Sequence, residues 1–269
     1  MNYAVIGHTE WVTFARVERL PLSGEIATAQ ESWSEAAGGG AVAAAQLARL
    51  GAGVGFVTAL GEDDAGKRAR TQLEQLGLEL HAARWPGPQT AAFTFIEASG
   101  ERTITVMHRG ARPVGADPLP WDALAGTRGV YFVKADAEAL RRARSARVVV
   151  ATARILPTLV EAGVQLDALV HSARDAGERY RRGDLYPVPR VVVSTEGREG
   201  GTWQLDTGEQ GRFRATDLPG PIVDTYGAGD SFAAGLTLGL GEGLPLQEAL
   251  AVAARSGADA LLRRGAHGR

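Results

Sequence analysis

Gly227, Ala228, Gly229 and Asp230 are the residues whose types and spacing most directly imply chemistry. They sit inside Val223-Asp224-Thr225-Tyr226-Gly227-Ala228-Gly229-Asp230-Ser231-Phe232-Ala233-Ala234-Gly235. Small residues at 227–229 let the backbone turn sharply and approach a ligand, and from Ser231 onward the composition is that of a buried helix. A loop that opens into a helix leaves N–H groups without intrahelical partners at the positive end of the helix dipole, a setting for an oxyanion or phosphate. A carboxylate beside such a pocket is useful where a hydroxyl must lose its proton while attacking a phosphoryl group. The competing reading is an Asp cap on an ordinary glycine-rich turn.

Other elements must bring partners to this loop. Tyr3 to Ile6 reads as a first parallel strand, and the loop after it lies at the strand's C-terminal end, where open α/β sheets bind ligands. Gly38, Gly39 and Gly40 precede a helix over 41–50 that stops at Gly51. Strands at 54–58, 78–82, 129–133, 147–151, 166–170 and 190–193 alternate with helices at 64–76, 137–144, 156–162, 173–182 and 246–262, the rhythm of a mostly parallel sheet covered on both faces. Gly201 to Leu205 and Gln210 to Arg214 read as a hairpin around Thr207-Gly208. Segments 11–17, 25–33, 90–97 and 102–107 have no helices tightly between them and are gathered into a small separate sheet. One three-layer α/β/α domain over 1–269 results, with the small-sheet strands at approximately 11–36 and 88–110.

The string D-T-x-G-A-G-D followed by S-F-x-x-G resembles the second signature of the pfkB-type carbohydrate kinases of the ribokinase-like superfamily. Gly38-Gly39-Gly40 resembles the first signature, and Ser194-Thr195-Glu196-Gly197-Arg198-Glu199-Gly200 resembles the family's T-x-G-x-x-G. The resemblance implies an ATP-dependent, Mg2+-requiring kinase acting on a hydroxymethyl group of a small sugar-like or nucleoside-like acceptor. By it, Asp230 is the general base and the amides of Gly227, Ala228 and Gly229 are the anion hole. Thr195, Gly197, Gly200 and Thr225 line the nucleotide, helix 246–262 packs near the adenine, and Gly38 to Gly40 adjoin the acceptor. The small sheet is then a lid over the acceptor, and its exposed strands are a natural two-fold contact for a homodimer.

Four positions depart from that pattern. The family's substrate Asp falls on Val12 and its sugar-binding Asn on Val42, so two polar ligands for hydroxyls are missing. Glu10 and Thr13 are the substitutes proposed from the same neighbourhood, with His8, Arg102, His108 and Arg109 nearby. The N-x-x-E that organises water around the metal aligns with Ser172-Ala173-Arg174-Asp175, which leaves Asp175 as a water-mediated metal residue or else a helix start. D-x-N-x-R becomes Ala151-Thr152-Ala153-Arg154-Ile155, keeping only a basic residue. A non-catalytic nucleotide or metabolite sensor, and a kinase for a vitamin-type alcohol, are the alternative readings.

Composition limits the rest. The 269 residues carry a formal net charge of -2, which gives no electrostatic footprint for nucleic acid or an anionic membrane. Zero cysteines exclude disulfides and thiolate chemistry. No apolar run approaches a membrane span, and the first six residues are too short and uncharged for a signal peptide, so a cytoplasmic protein with a small-molecule substrate is expected. His81, His171 and His267 fit no metal-ligand spacing.

Overall fold

In the computed structural model, which describes residues 1–268, a nine-stranded sheet runs in the order β13-β12-β11-β10-β9-β8-β1-β4-β5. Its parallel part comprises β1 (Tyr3–Ile6), β4 (Val54–Gly61), β5 (Glu79–Trp85), β8 (Gly129–Phe132), β9 (Val149–Thr152), β10 (Ala168–Ser172) and β11 (Val191–Thr195). The hairpin β12 (Gly201–Leu205) and β13 (Gln210–Phe213) extends it antiparallel at one edge. β1 is buried along its whole length, as expected of a strand covered on both faces.

Strand alternation divides the core. Tyr3, Val5, Phe56, Tyr131 and Val133 pack against α1 (Gly39–Arg49), α2 (Asp64–Glu74), α5 (Ala228–Gly241) and α6 (Leu246–Leu261). Ala4, Ile6, Val57, Val130 and Phe132 pack on the other side against α3 (Ala137–Ala143) and α4 (Leu156–Ala162). Three layers result. A Cβ on Gly239 would lie 2.7 Å from the Ala249 backbone, so α5 and α6 touch nearly backbone to backbone.

A second, four-stranded sheet has the order β3-β2-β6-β7, built from β2 (Glu10–Arg16), β3 (Glu31–Ala37), β6 (Ala91–Ile96) and β7 (Arg102–His108). β2 pairs antiparallel with β3 but parallel with β6. Its inner face supplies Val12, Phe14, Ala37, Ala92 and Ile96 to a separate cluster closed by Val42, Tyr226 and Ala266. Gln89 joins the sheets: its side chain accepts from the Gly61 N–H at 2.8 Å and donates to the Thr9 carbonyl at 2.6 Å.

Two expected elements differ. The strand read at 25–33 lies at Glu31–Ala37, because its pairing is set by β2 across the sheet and not by its own composition. The helix read over 173–182 is only a single 3-10 turn at Ala176–Glu178. Asp175 caps Gly177 at 2.8 Å, and Glu178 folds back to accept the Ser172 N–H at 2.8 Å, so the charged side chains serve local turns instead of a helix face.

Candidate active site

α5 begins at Ala228, after Gly227 in the left-handed region at φ 76°. Ser231 is the first residue to bond back along the helix, to the Gly227 carbonyl at 2.9 Å, and no side chain caps the start. The N–H groups of Ala228, Gly229 and Asp230 therefore have no intrahelical acceptor. A Cβ on Gly229 would meet nothing within 4 Å, so the outer side of this turn is open. Unpaired amides at a helix start are groups that suit an anion.

Asp230 projects from this turn toward α1 and β8. Tyr131 donates its hydroxyl to Asp230 Oδ1 at 3.2 Å. A Cβ on Gly39 would stand 2.8 Å from that same oxygen and 2.9 Å from Val133 Cγ1, so only glycine fits between them. Burial pushes the Asp230 carboxyl above its ordinary range. The charge of His8 opposes that shift, Glu178 adds to it, and the Tyr131 hydroxyl and Arg154 oppose it; the net direction is upward. Burial, followed by the charge of Asp230, holds the Tyr131 phenol well above its usual value, so it is protonated and able to donate.

The loop after β1 stands beside the start of α1 and close to Asp230. His8 Nε2 and Glu10 Oε1 lie 3.5 Å apart, and a Cβ on Gly38 would fall 3.0 Å from Glu10 Cγ. Gly38 is at φ 86° and donates its N–H to the Tyr226 hydroxyl at 3.0 Å. Gly40 is equally constrained, its would-be Cβ 2.7 Å from the His8 carbonyl. Val12 and Val42 are buried against Tyr226, and a Cβ on Gly227 would strike Val42 Cγ1 at 2.7 Å. The positions that lack their hydroxyl ligands thus form no empty polar niche; an aromatic ring and two valines fill the space.

Not every predicted residue joins this group. Thr13 pairs with Ser34 at 2.9 Å, and strand alternation puts it on the face of β2 opposite buried Val12, so it does not reach the acceptor side. Thr225 donates its hydroxyl to the Gly100 carbonyl at 3.1 Å and accepts from Arg102 at 3.1 Å, which ties the signature loop to the β6–β7 turn. Thr195 ends β11 with its hydroxyl directed at the His171 carbonyl at 3.4 Å. Gly197 and Gly200 follow at φ 67° and 80°, and a Cβ on Gly200 would lie 2.2 Å from the Phe213 carbonyl oxygen, so that glycine is required by the hairpin itself.

Asp175 uses both carboxylate oxygens, on Arg154 at 2.5 Å and on Gly177. Arg154 also binds Glu178 at 2.7 Å. Glu178, absent from the sequence reading, is the carboxylate of this pair whose charge reaches Asp230 and Tyr131. Tyr131 and Tyr226 were missed as well. Tyr131 occupies an apolar strand and Tyr226 the variable position of the signature, so their only sequence signal was a hydroxyl-bearing ring where an aliphatic would serve.

The family model described as pfkB family carbohydrate kinase matches residues 2–127 and 185–268. An ATP-dependent ribose-1-phosphate kinase of Halopiger xanaduensis is 27% identical, covering 85% of this chain and 81% of its own length. A fructokinase of Klebsiella pneumoniae is also 27% identical, over 85% of this chain and 87% of its own. The ribokinase of Thermotoga maritima has the same fold, with a TM-score of 0.77 at 21% identity over 98% of this chain and 94% of that one.

Proposed function

The chain belongs to the pfkB family of carbohydrate kinases, and from that premise we propose that Asp230 is the general base of an ATP-dependent transfer to a hydroxymethyl group of a small sugar-like or nucleoside-like acceptor. The acceptor oxygen forms a bond to the terminal phosphorus of ATP as the bond from that phosphorus to the ADP oxygen breaks. The hydroxyl proton passes to the Asp230 carboxylate. The open amides at 227–230 hold the phosphoryl oxygens as charge redistributes in the transition state. One observation carries this reading: a carboxylate and unpaired amides share the first turn of α5, pressed against a glycine that leaves room for nothing larger.

Thr195, Gly197 and Gly200 are assigned to the nucleotide side, and Gly38, Gly39, Gly40 and Glu10 to the acceptor side. Among the described residues no cluster of three or more His, Asp or Glu side chains could cage a metal ion. Mg2+ would be held chiefly by phosphates and water, with Asp175 and Glu178, both tied to Arg154, beside that water. Bound Mg2+ would supply neutralisation of phosphate charge. β7 is exposed along its whole length, with Ile104, Val106 and Met107 presented to the outside, which supports a homodimer through the small sheet.

Asp230→Asn tests the base directly. ADP formation across a panel of sugars, sugar phosphates, polyols and nucleosides should fall by about two orders of magnitude or more, while calorimetry shows ATP binding largely kept. Near-normal turnover in that variant would remove Asp230 from the mechanism. The names of the relatives do not choose an acceptor, since one carries ribose 1-phosphate and another fructose.

A further inference from the structure

After α6, residues 263–268 cross back to the small sheet and are fastened along one face of β3. Strand alternation puts Glu31, Trp33 and Glu35 on that face. Arg264 pairs with Glu31 and lies over the Trp33 ring at 4.4 Å, and the Ala266 N–H donates to Glu35 Oε1 at 2.7 Å. His267 donates its Nε2 hydrogen to the Ala36 carbonyl. Gly265 turns at φ 59°, and a Cβ there would overlap Glu35 Oε1, so this strap lies directly on the carboxylate. Glu35 is buried beneath it, and Trp33 Nε1 donates to the same oxygen at 3.2 Å.

The strap also reaches the signature loop. Gly265 donates its N–H to Asp224 Oδ2 at 2.8 Å, Asp224 Oδ1 accepts the Tyr226 N–H at 2.8 Å, and the Tyr226 hydroxyl accepts the Gly38 N–H at 3.0 Å. Gly38 directly follows β3, so these three bonds and the one from Ala266 to Glu35 close a ring of four. Every donor in it is a backbone N–H and every acceptor a side chain. Burial holds the carboxyls of Glu35 and Asp224 above their ordinary range, so their ionised forms depend on these donors. The ring meets the reacting groups at two points. Tyr226 precedes Gly227, where α5 starts, and Gly38 precedes Gly39, which stands against the Asp230 carboxylate.

We propose that Glu35 is a positioning residue for transfer at Asp230: by closing this ring it sets the start of α5 and the Gly38–Gly39 turn against each other. This rests on the kinase reading of Asp230. The carboxylate of Glu35 acts at a distance from the reacting groups, through the strap, Asp224 and Tyr226. Loss of its side chain leaves the buried Ala266 N–H unpaired and loosens the strap, and with it the Asp224 contact that orients Tyr226. A shift of roughly 1 Å between base and amides slows a transfer by about 10- to 100-fold. Because the anion hole does its work on the transition state, the loss falls on kcat.

The test compares Glu35→Ala, Glu35→Gln and Trp33→Phe, each well below its unfolding transition. Steady-state kinetics use ATP with whichever acceptor yields most ADP, and hydrogen exchange is read by mass spectrometry. Glu35→Ala should lower kcat by about 10-fold with both KM values within about twofold, and should raise exchange by about 10-fold in peptides covering 36–40 and 222–232 while the peptide over β8 keeps its protection. Glu35→Gln, whose amide oxygen can still accept the Ala266 N–H, should hold kcat within about threefold of wild type. Trp33→Phe removes a bond to the same oxygen without opening the ring and should match wild type in both readouts. An unchanged kcat in Glu35→Ala, an equal loss in Glu35→Gln or Trp33→Phe, or extra exchange spread evenly over the molecule would overturn the proposal. If wild type makes no ADP with any acceptor while Glu35→Ala still loosens those two peptides alone, the ring stands and the kinase reading falls; no turnover and no loosening sink the ring.

Discussion

The two walls of the site are built by different means. On one side, the start of α5 offers backbone amides and one carboxylate, and all of it lies in the matched segment 185–268. On the other side, His8, Glu10, Val12, Gly38, Val42 and Tyr226 come from the loop after β1, the small sheet, the start of α1 and the signature loop, elements far apart in the chain. Phosphoryl transfer makes the same demand whatever the acceptor, so backbone geometry and glycine spacing can meet it as a contiguous string. On the proposed reading, acceptor recognition falls to side chains from the loop after β1, the small sheet and α1, and no short string spells that arrangement. On the proposed reading, the first wall serves the reaction and the second its substrate.

If that division is correct, disturbing the first wall should abolish turnover for every acceptor alike. After Asp230→Asn, the largest effect is expected from Gly39→Ala, because Gly39, assigned to the acceptor side, presses directly on the carboxylate of the first wall. The new methyl would stand 2.8 Å from Asp230 Oδ1 and 2.9 Å from Val133 Cγ1, so the carboxylate, the valine or α1 must shift. Turnover should drop by about 10- to 100-fold, since misplacement of a reacting group by roughly 1 Å carries a cost of that size. Stability should also fall, by about 1–3 kcal/mol for the overpacked methyl, a loss that a denaturant titration separates from turnover measured well below the unfolding transition. A loss confined to one acceptor would mean that Gly39 belongs to the substrate wall, and the comparison would need redrawing.

Val42→Asn probes the second wall. It restores the amide that resembles the family pattern, but into a cluster where Val42 is 3% exposed and touches Gly227. With no partner for the amide, stability should fall by about 1–3 kcal/mol. The range of sugars accepted should not widen, because Tyr226 packs against Val42 where a hydroxyl would have to sit. A denaturant titration and the sugar panel read the two outcomes separately. Gain of a neutral sugar substrate would show that the valine, and not the tyrosine, had closed that route.

The same contrast accounts for what could be read from the sequence. β1 at Tyr3–Ile6, α4 at Leu156–Ala162 and the hairpin around Thr207-Gly208 were legible because periodicity and turn residues are local properties. So was the glycine run before Asp230, whose backbone role depends on near neighbours. Thr13 was misplaced because strand alternation sends adjacent side chains to opposite faces, and the register of β2 decides which face is inner. Glu178 was hidden by a helical reading of 173–182, although its backbone partner Ser172 lies in that same turn. Tyr131 and Tyr226 act through contacts separated by about a hundred or more residues, which only folding reveals.

Tyr131 is where the two walls meet, and its removal should produce the smallest effect with the most specific signature. The residue lies outside the family match, yet its hydroxyl donates to the base at 3.2 Å and favours the ionised carboxylate. Burial already raises the Asp230 pKa above the ordinary carboxylate value, so kcat/KM should decline on its acidic side at a higher pH than an exposed aspartate would give. Tyr131→Phe deletes a contact that opposes this shift, so the folded-state pKa must rise further and the acidic limb must move to higher pH. The base is protonated, and inactive, below that limb. The variant should therefore lose several-fold activity near the limb and approach wild-type rates on the alkaline plateau. Loss of activity by the same factor at every pH would mean that Tyr131 only packs against α5, whereas a displaced limb would show that a side chain outside the shared segments sets the working pH of the shared base.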